Sequence, residues 1–400
     1  MPGRLVGERP TMRAIAYLAT GLAVSLLLGL TGTGHLSPLG NDALLREVCD
    51  IALIVSVFGA GIAVERRVAR SSWRLIARLL VVGIPATIAL IAAFAAPVMG
   101  LGLSAAVLLG AMLAPTDPVL AGDLGLGTPS EEEVGEPRLS LHTEAGANDG
   151  LAAPFVIGAL SLASRGGHRW AVHWLEFGLL VHVAVAVAVG AVGGRLAAVV
   201  VGRLRSRGAF GPDRPDGVPR WRSVIDGLVL AVPFALYGLC DVLHGTGLVA
   251  VFVAGFAFRR AERDERLHAH VHRISERAGR VTEVVAIVVI GLMFSWQGLG
   301  VPGAGGWLLA PVVILLVRPL LVLALAVRTP LRLAERLYLG FFGVRGVAAA
   351  YYAAVVAGSG ALSPHATRVV VWTTLVCVGV SIVVHGVTAA PLTRRWLGEG

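Results

Sequence analysis

Between Leu108 and Leu160 two apolar stretches carry groups that a lipid-soluble helix should avoid. The first, LLGAMLAPTDPVLAGDLGLG, places Thr116 and Asp117 between Pro115 and Pro118, and the second, LSLHTEAGANDGLAAPFVIGAL, carries Glu144, Asn148 and Asp149. A carboxylate at the bilayer midplane costs about 2.5 kcal/mol or more, so three in neighbouring spans point to chemistry rather than structure. In a helix Glu144 and Asn148 share a face, and Asp149 is turned from them by about 100°. Glu144 is therefore free to pair with an arginine from elsewhere, while Asp149 faces the break at Thr116-Asp117. Desolvation favours the neutral form of an unpaired carboxylate. Such a group holds either a proton or a monovalent cation, and that competition alone couples the two. The structural alternative is an Asp149 kept protonated and hydrogen-bonded.

Two arginines stand inside apolar segments in the last third of the chain: Arg318 in VVILLVRPLLVLAL and Arg345 in YLGFFGVRGVAAAYYA. Snorkelling to an interface is the plain reading of Arg318, but Pro319 opens the helix ladder beside it. Gly343 and Gly346 around Arg345 suggest an interrupted helix, where a cation offsets exposed carbonyl ends. Both halves of the chain thus pair a broken span with a span carrying a charge. Gly/Pro-interrupted hydrophobic segments at matching places point to a transport site, because irregular backbone at membrane depth survives only where it is buried or lines a cavity.

The elements that must position these groups are membrane helices. The chain is 56% hydrophobic and only 15% charged, against about 25% charged in soluble globules, which makes it an all-α polytopic membrane protein. Segments long enough for a hydrocarbon core of roughly 30 Å occur about twelve times, near 14–31, 48–64, 75–98, 101–121, 139–163, 172–198, 223–240, 243–258, 281–298, 305–327, 333–357 and 367–391. All basic residues are arginine, and 28 of the 34 fall at the N-terminus, in the even-numbered loops or after the last span. By the positive-inside rule both termini are cytoplasmic. The net charge of +9 is accordingly a topology signal and not a nucleic-acid one. The N-terminus lacks a short apolar region with a small-residue cleavage site, so no cleaved leader is expected.

The remaining features carry bland readings. Cys49, Cys240 and Cys377 lie in or beside apolar segments and read as buried thiols. Residues 203–222 form a basic, Gly/Pro-rich linker. The stretch 259–280, with His268, His270 and His272, reads as a solvated surface loop, with a metal site there as the lesser reading. Glu131, Glu132, Glu133 and Glu136 read as a solvated turn. Ser381, His385 and the carboxylates show no nucleophile–base spacing on one element, so an enzyme is not expected. His385 reads as a packing residue before a break at Pro391.

The motifs APTDPVL at 114–120, E-x₃-ND at 144–149, HGTGLVAVFVAGFAF at 244–258, Arg-Pro at 318–319, GVRG at 343–346 and SIVVHGVTAAPLTRR at 381–395 occur in a specific order. Over nearly its whole length the chain resembles bacterial Na⁺/H⁺ antiporters of the NhaP type and, more distantly, the eukaryotic sodium–proton exchangers. The resemblance implies one membrane transporter domain over 1–400 with inverted repeats and two broken crossing helices. Residues 75–164 and 305–391 would form the ion-translocating core, and 14–64 and 172–298 the dimerisation scaffold of a homodimer. It implies a multi-pass protein of a bacterial inner membrane that exchanges protons for Na⁺ or Li⁺ in pH homeostasis, with no cofactor. The K⁺/H⁺ antiporter is the alternative, and a proton-linked channel or sensor a further one. Asp149 would carry the proton or cation, with Asn148, Asp117 and Thr116 contributing and Thr116 acting partly through its backbone. Asp149 and Thr116 would be the ligands of the transported metal ion. Glu144 and Arg318 would form a structural ion pair, and Arg345 would compensate the second broken helix. Asn148 stands where Asn-Asp members differ from Asp-Asp members, and the former are expected to be electroneutral. The chain departs from the pattern at Gly59, where many relatives have a carboxylate, and at Ala145, where the family can have a serine. The segment at 14–31 is similar to the family's second helix.

Overall fold

The computed structural model describes residues 12–31, 34–64, 70–117, 136–165, 170–206, 220–262 and 264–397. Every regular element among them is a helix. In chain order the longer ones are α1 (Arg13–Leu30), α2 (Asp42–Ala63), α3 (Ser71–Met99), α4 (Leu103–Leu113), α5 (Glu136–Arg165), α6 (Trp174–Leu204), α7 (Arg220–Val242), α8 (Gly247–Ala261), α9 (Glu265–Leu292), α10 (Gly303–Leu325), α11 (Leu333–Phe341), α12 (Val347–Ser359) and α13 (Pro364–Leu397). Six of the described helices are long and apolar enough to cross a membrane: α1, α3, α6, α10, α13 and the Val224–Val242 part of α7. Leu27, Leu30, Val81, Leu180, Val192 and Leu196 all face outward. In water so much exposed aliphatic surface would drive aggregation; in lipid it is the solvated face.

Asp264 caps α9, accepting from the backbone N–H groups of Arg266 (2.9 Å) and Leu267 (3.2 Å). The stretch expected as a surface loop over 259–280 is therefore mostly helix, with α9 starting at Glu265. His268 is buried, and His270 Nε2 lies 2.8 Å from Asp226 on α7. No group of three or more metal-binding side chains occurs among the described residues. Arg266, Arg273, Arg277 and Arg280 mark the exposed side of an amphipathic helix.

Two spans are broken. α4 ends at Leu113, and residues 115–117 leave helical geometry; Pro118 and the acidic run through Glu133 lie outside the described residues. α11 and α12 are separated by a non-helical stretch through Gly343–Gly346. The last helix carries Pro391 inside it and continues to Leu397, so the break expected there does not form.

α4 packs on α3, α5, α12 and α13, and α12 also reaches α5 and α13. On the other side α2 lies against α8 and α9, α1 against α9, and α6 against α8. At the α2–α8 crossing Gly61 and Gly255 each lie against the other helix's backbone, the close approach typical of membrane helices. Cys49, Cys240 and Cys377 are free thiols in the interior.

Candidate functional site

The two breaks meet. The N–H of Asp117 donates to the carbonyl of Val344 (2.9 Å), and the N–H of Val347 donates to Asp117 Oδ2 (3.0 Å). Val347 opens α12, so Asp117 caps that helix from the other half of the chain, a carboxylate at the positive end of a helix dipole. Gly346 permits the approach: a Cβ there would collide with the Asp117 carboxylate. Gly343 plays the same part beside Arg318, whose Nε would stand 2.7 Å from an added Cβ.

α5 supplies the other polar groups on one buried face. Asn148 links the helix to the first break, its Oδ1 accepting from Thr116 N–H (3.0 Å) and its Nδ2 donating to Thr116 Oγ1 (2.8 Å). The same Nδ2 donates to Glu144 Oε1 (2.9 Å). Glu144 is 1% exposed and receives Arg318 through two parallel bonds, Nη1 to Oε1 (3.0 Å) and Nη2 to Oε2 (2.6 Å). Bidentate pairing of this kind compensates both buried charges and fixes the orientation of each.

Asp149 is the odd carboxylate. It is fully buried, and neither Oδ1 nor Oδ2 has a hydrogen-bond partner among the described residues. Asp117 and Glu144 lie within electrostatic reach of it. Asn148, not Asp149, makes the direct contact with the break at Thr116. The helical offset of about 100° between neighbouring residues explains this: the face that reaches Thr116 is the one shared with Glu144.

Arg345 is 1% exposed and donates from Nη1 to the carbonyl of Gly343 (3.0 Å), at the carbonyl-rich end of α11. Its backbone N–H donates to Ser381 Oγ (2.8 Å), which lies 3.1 Å from His385 Nδ1; His385 Nε2 lies 2.8 Å from the carbonyl of Phe341. Ser381 and His385 thus do stand in hydrogen-bond contact on one helix, contrary to the spacing argument. Both are fully buried and tied to the second break.

Tyr352 escaped the sequence reading. Its hydroxyl donates to the backbone carbonyl of Asp149 (2.6 Å), fixing α12 to α5 beside the unpartnered carboxylate. A tyrosine in an alanine-rich helix gives no periodic signal, and only the fold shows where it points. A side chain at position 59 would face Ser275 of α9. Ala145 is buried on α5.

The family described as sodium/hydrogen exchanger, transmembrane, matches residues 9–395. A Na⁺/H⁺ antiporter of Zygosaccharomyces rouxii is 30% identical over 371 residues, covering 88% of this chain and 44% of the relative. A K⁺/H⁺ antiporter of Alkalimonas amylolytica is 25% identical over 382 residues, covering 94% of this chain and 61% of the relative. The chain thus spans about half the length of the curated relatives it matches. The solved structure of a sodium proton antiporter from Methanocaldococcus jannaschii has the same fold, with a TM-score of 0.66 at 18% identity over 94% of this chain and 99% of that one.

Proposed function

The chain belongs to the transmembrane sodium/hydrogen exchanger family, and from that premise we propose that it is a secondary active antiporter in which protons and a monovalent cation compete for Asp149. The single observation that carries this reading is the buried Asp149 carboxylate without a hydrogen-bond partner among the described residues, set where two broken helices meet. Of the two other carboxylates, Glu144 is neutralised by Arg318 and Asp117 caps α12. Asp149 is left to exchange its charge partner.

The chemistry is a one-site cycle. Protonated, Asp149 is neutral and tolerates its dry surroundings; deprotonated, it needs a cation to offset its charge. The cation and the proton therefore cannot occupy the carboxylate together, and movement of the loaded site couples their flows. The backbone freed at Thr116 and Asp117 supplies oxygens that replace water around the ion, with Thr116 Oγ1 and the Asn148 amide holding the break in place. Asn148 brings no second ionisable group, so one proton exchanged for one monovalent cation leaves the charge of the site unchanged, and exchange is electroneutral. In this reading α3–α5 and α10–α13 form the moving core, and α1, α2 and α6–α9 the scaffold of a homodimer. The protein lies in a bacterial inner membrane with both termini in the cytoplasm and needs no cofactor.

Na⁺ or Li⁺ is the cation of first choice. K⁺ is the second reading, favoured by the K⁺/H⁺ antiporter among the relatives and by the absence of side-chain oxygens at Gly59 and Ala145. Purified protein in liposomes with an imposed pH gradient, challenged with Na⁺, Li⁺ and K⁺ in turn, tests the proposal. Dissipation of the gradient that disappears in Asp149→Asn supports it. Exchange that survives the substitution overturns it.

A further inference from the structure

Two recesses on the outside of the helix bundle adjoin at Phe294. The first, of about 300 Å³, runs between α1 and α13, where Leu18, Leu22, Val380 and Val384 line it and Trp307 of α10 stands at its edge. The second, of about 400 Å³, lies at the end of α1 and in the turn after α9, and there His35, Ser295, Trp296 and Gln297 bring polar groups. The result is one groove, apolar along most of its length and polar at one end. Its walls are fixed by contacts of their own. Ser25 Oγ of α1 donates to the carbonyl of Phe294 (2.9 Å), and Trp307 Nε1 donates to the carbonyl of Leu299 (2.9 Å). The Phe294 ring packs edge-on against Trp372 of α13 at 6.3 Å. Gly379 keeps the floor low, since an added Cβ would stand 3.3 Å from the Phe294 ring.

The position of the groove restricts what can fill it. α1, α10 and α13 are all long and apolar enough to cross a membrane, so the groove meets either lipid or another membrane segment. One turn of helix, about 10 Å across and about 5.4 Å tall, displaces roughly 400 Å³. The apolar part, at about 300 Å³, therefore holds less than one turn, whereas a single acyl chain needs length and little width. Length agrees as well. Leu18 to Leu30 spans twelve positions of α1, about 18 Å, close to the roughly 15 Å of one leaflet's hydrocarbon. At the polar end the Gln297 amide, the His35 imidazole and the Trp296 indole are hydrogen-bond donors, the complement of phosphate and ester oxygens. Trp296 is 77% exposed there, as an aromatic residue is at headgroup depth. A transmembrane helix would bring apolar surface to this end too, which these groups do not match. We infer that the groove is a binding site for one phospholipid, its acyl chain laid between α1 and α13 and its headgroup held by His35, Trp296 and Gln297. The lipid would separate α1 from α13 across the seam where the turn after α9 leads into α10. The inference does not depend on what the protein transports.

The test is a phospholipid with a diazirine midway along one acyl chain, mixed into the liposomes that hold the purified protein. After irradiation, the modified residues are mapped by mass spectrometry of the digested chain. Leu22, Val380 and Val384 should be labelled about fivefold more than Leu90 and Val98, which are exposed to lipid on the far half of α3. Val383→Trp on α13 and Leu22→Trp on α1 fill the groove from opposite walls, and each should bring labelling of Val380 and Val384 down to the α3 level. Leu90→Trp should leave it unchanged. His35→Ala combined with Gln297→Ala tests the headgroup and should lower groove labelling while leaving α3 as it was. Groove labelling no stronger than that of α3 in the parent marks ordinary boundary lipid and overturns the site. Labelling that persists through both filling variants does the same. A second copy of the chain seated here would instead give no groove labelling and a disulfide between copies through Val383→Cys, with the three native cysteines replaced by alanine. That result too overturns the lipid.

Discussion

Glu144→Ala tests whether the buried ion pair is structural. The substitution leaves Arg318, 7% exposed, with a guanidinium whose two bonds to Glu144, at 3.0 and 2.6 Å, are gone. It also removes the Glu144 acceptor of Asn148 Nδ2, which lay at 2.9 Å. Removing one partner of a buried pair costs about 3–5 kcal/mol, because the remaining charge stays desolvated. For a chain of this size about 2 °C is lost per kcal/mol, so the melting temperature should fall by roughly 6–10 °C. Thermal unfolding of the purified protein in detergent, followed by intrinsic fluorescence or loss of the monodisperse elution peak, reads the shift. The double variant Glu144→Ala/Arg318→Met removes both charges and should recover most of it, since replacing a buried pair with apolar groups is close to neutral. A single variant that melts with the parent refutes the reasoning. So does a double variant no more stable than the single one.

Asp149→Asn should abolish exchange yet melt no lower than the parent, because the carboxylate it removes has no hydrogen bond to lose among the described residues; a large drop in melting temperature would show a structural role. Asn148→Asp should make exchange sensitive to an imposed membrane potential, since the site then carries a second ionisable group. It should also lower stability by about 1–3 kcal/mol, because a donor to Glu144 and Thr116 becomes an acceptor. A transport rate that ignores the potential refutes the charge argument. Gly346→Ala should drive a methyl into the Asp117 carboxylate, displace the cap of α12 and cost about 1–2 kcal/mol. It should depress exchange far more than Gly300→Ala, where the added methyl meets open space; equal effects would sink the capping role.

Much of this arrangement is legible in the sequence because charges and helix breakers are expensive in lipid. Asp117, Glu144, Asp149, Arg318 and Arg345 stand out for that reason, and the spacing of Glu144 and Asn148 gives their shared face. The direction of Asp149 was harder to read. α4 and α12 are buried nearly all round, so hydrophobic periodicity does not fix their rotation, and the neighbour of each face depends on the crossing. Tyr352 is invisible, and the contacts of Ser381 and His385 are misread, for a related reason: each is an ordinary helix residue until the second break is brought against α5 and α13. The Arg- and His-rich start of α9 shows the opposite error. Charge density reports solvent on one side of a segment, and Asp264 followed by Glu265–Arg280 is a capped helix with such a side.

The ion pair between Glu144 and Arg318 joins residues 174 positions apart. At about 5–20 residues per second, synthesis takes roughly ten to thirty seconds to travel from one to the other. During that interval α5 meets the bilayer with a glutamate and an aspartate whose eventual neighbours have not been made. The insertion machinery must shelter the helix, or the Glu144 carboxyl must take up a proton, until α10 arrives with Arg318. Ribosome stalling or premature termination ahead of Arg318 would therefore leave a segment marked by its own unmet charge, a tag that membrane quality control can read without inspecting the rest of the chain.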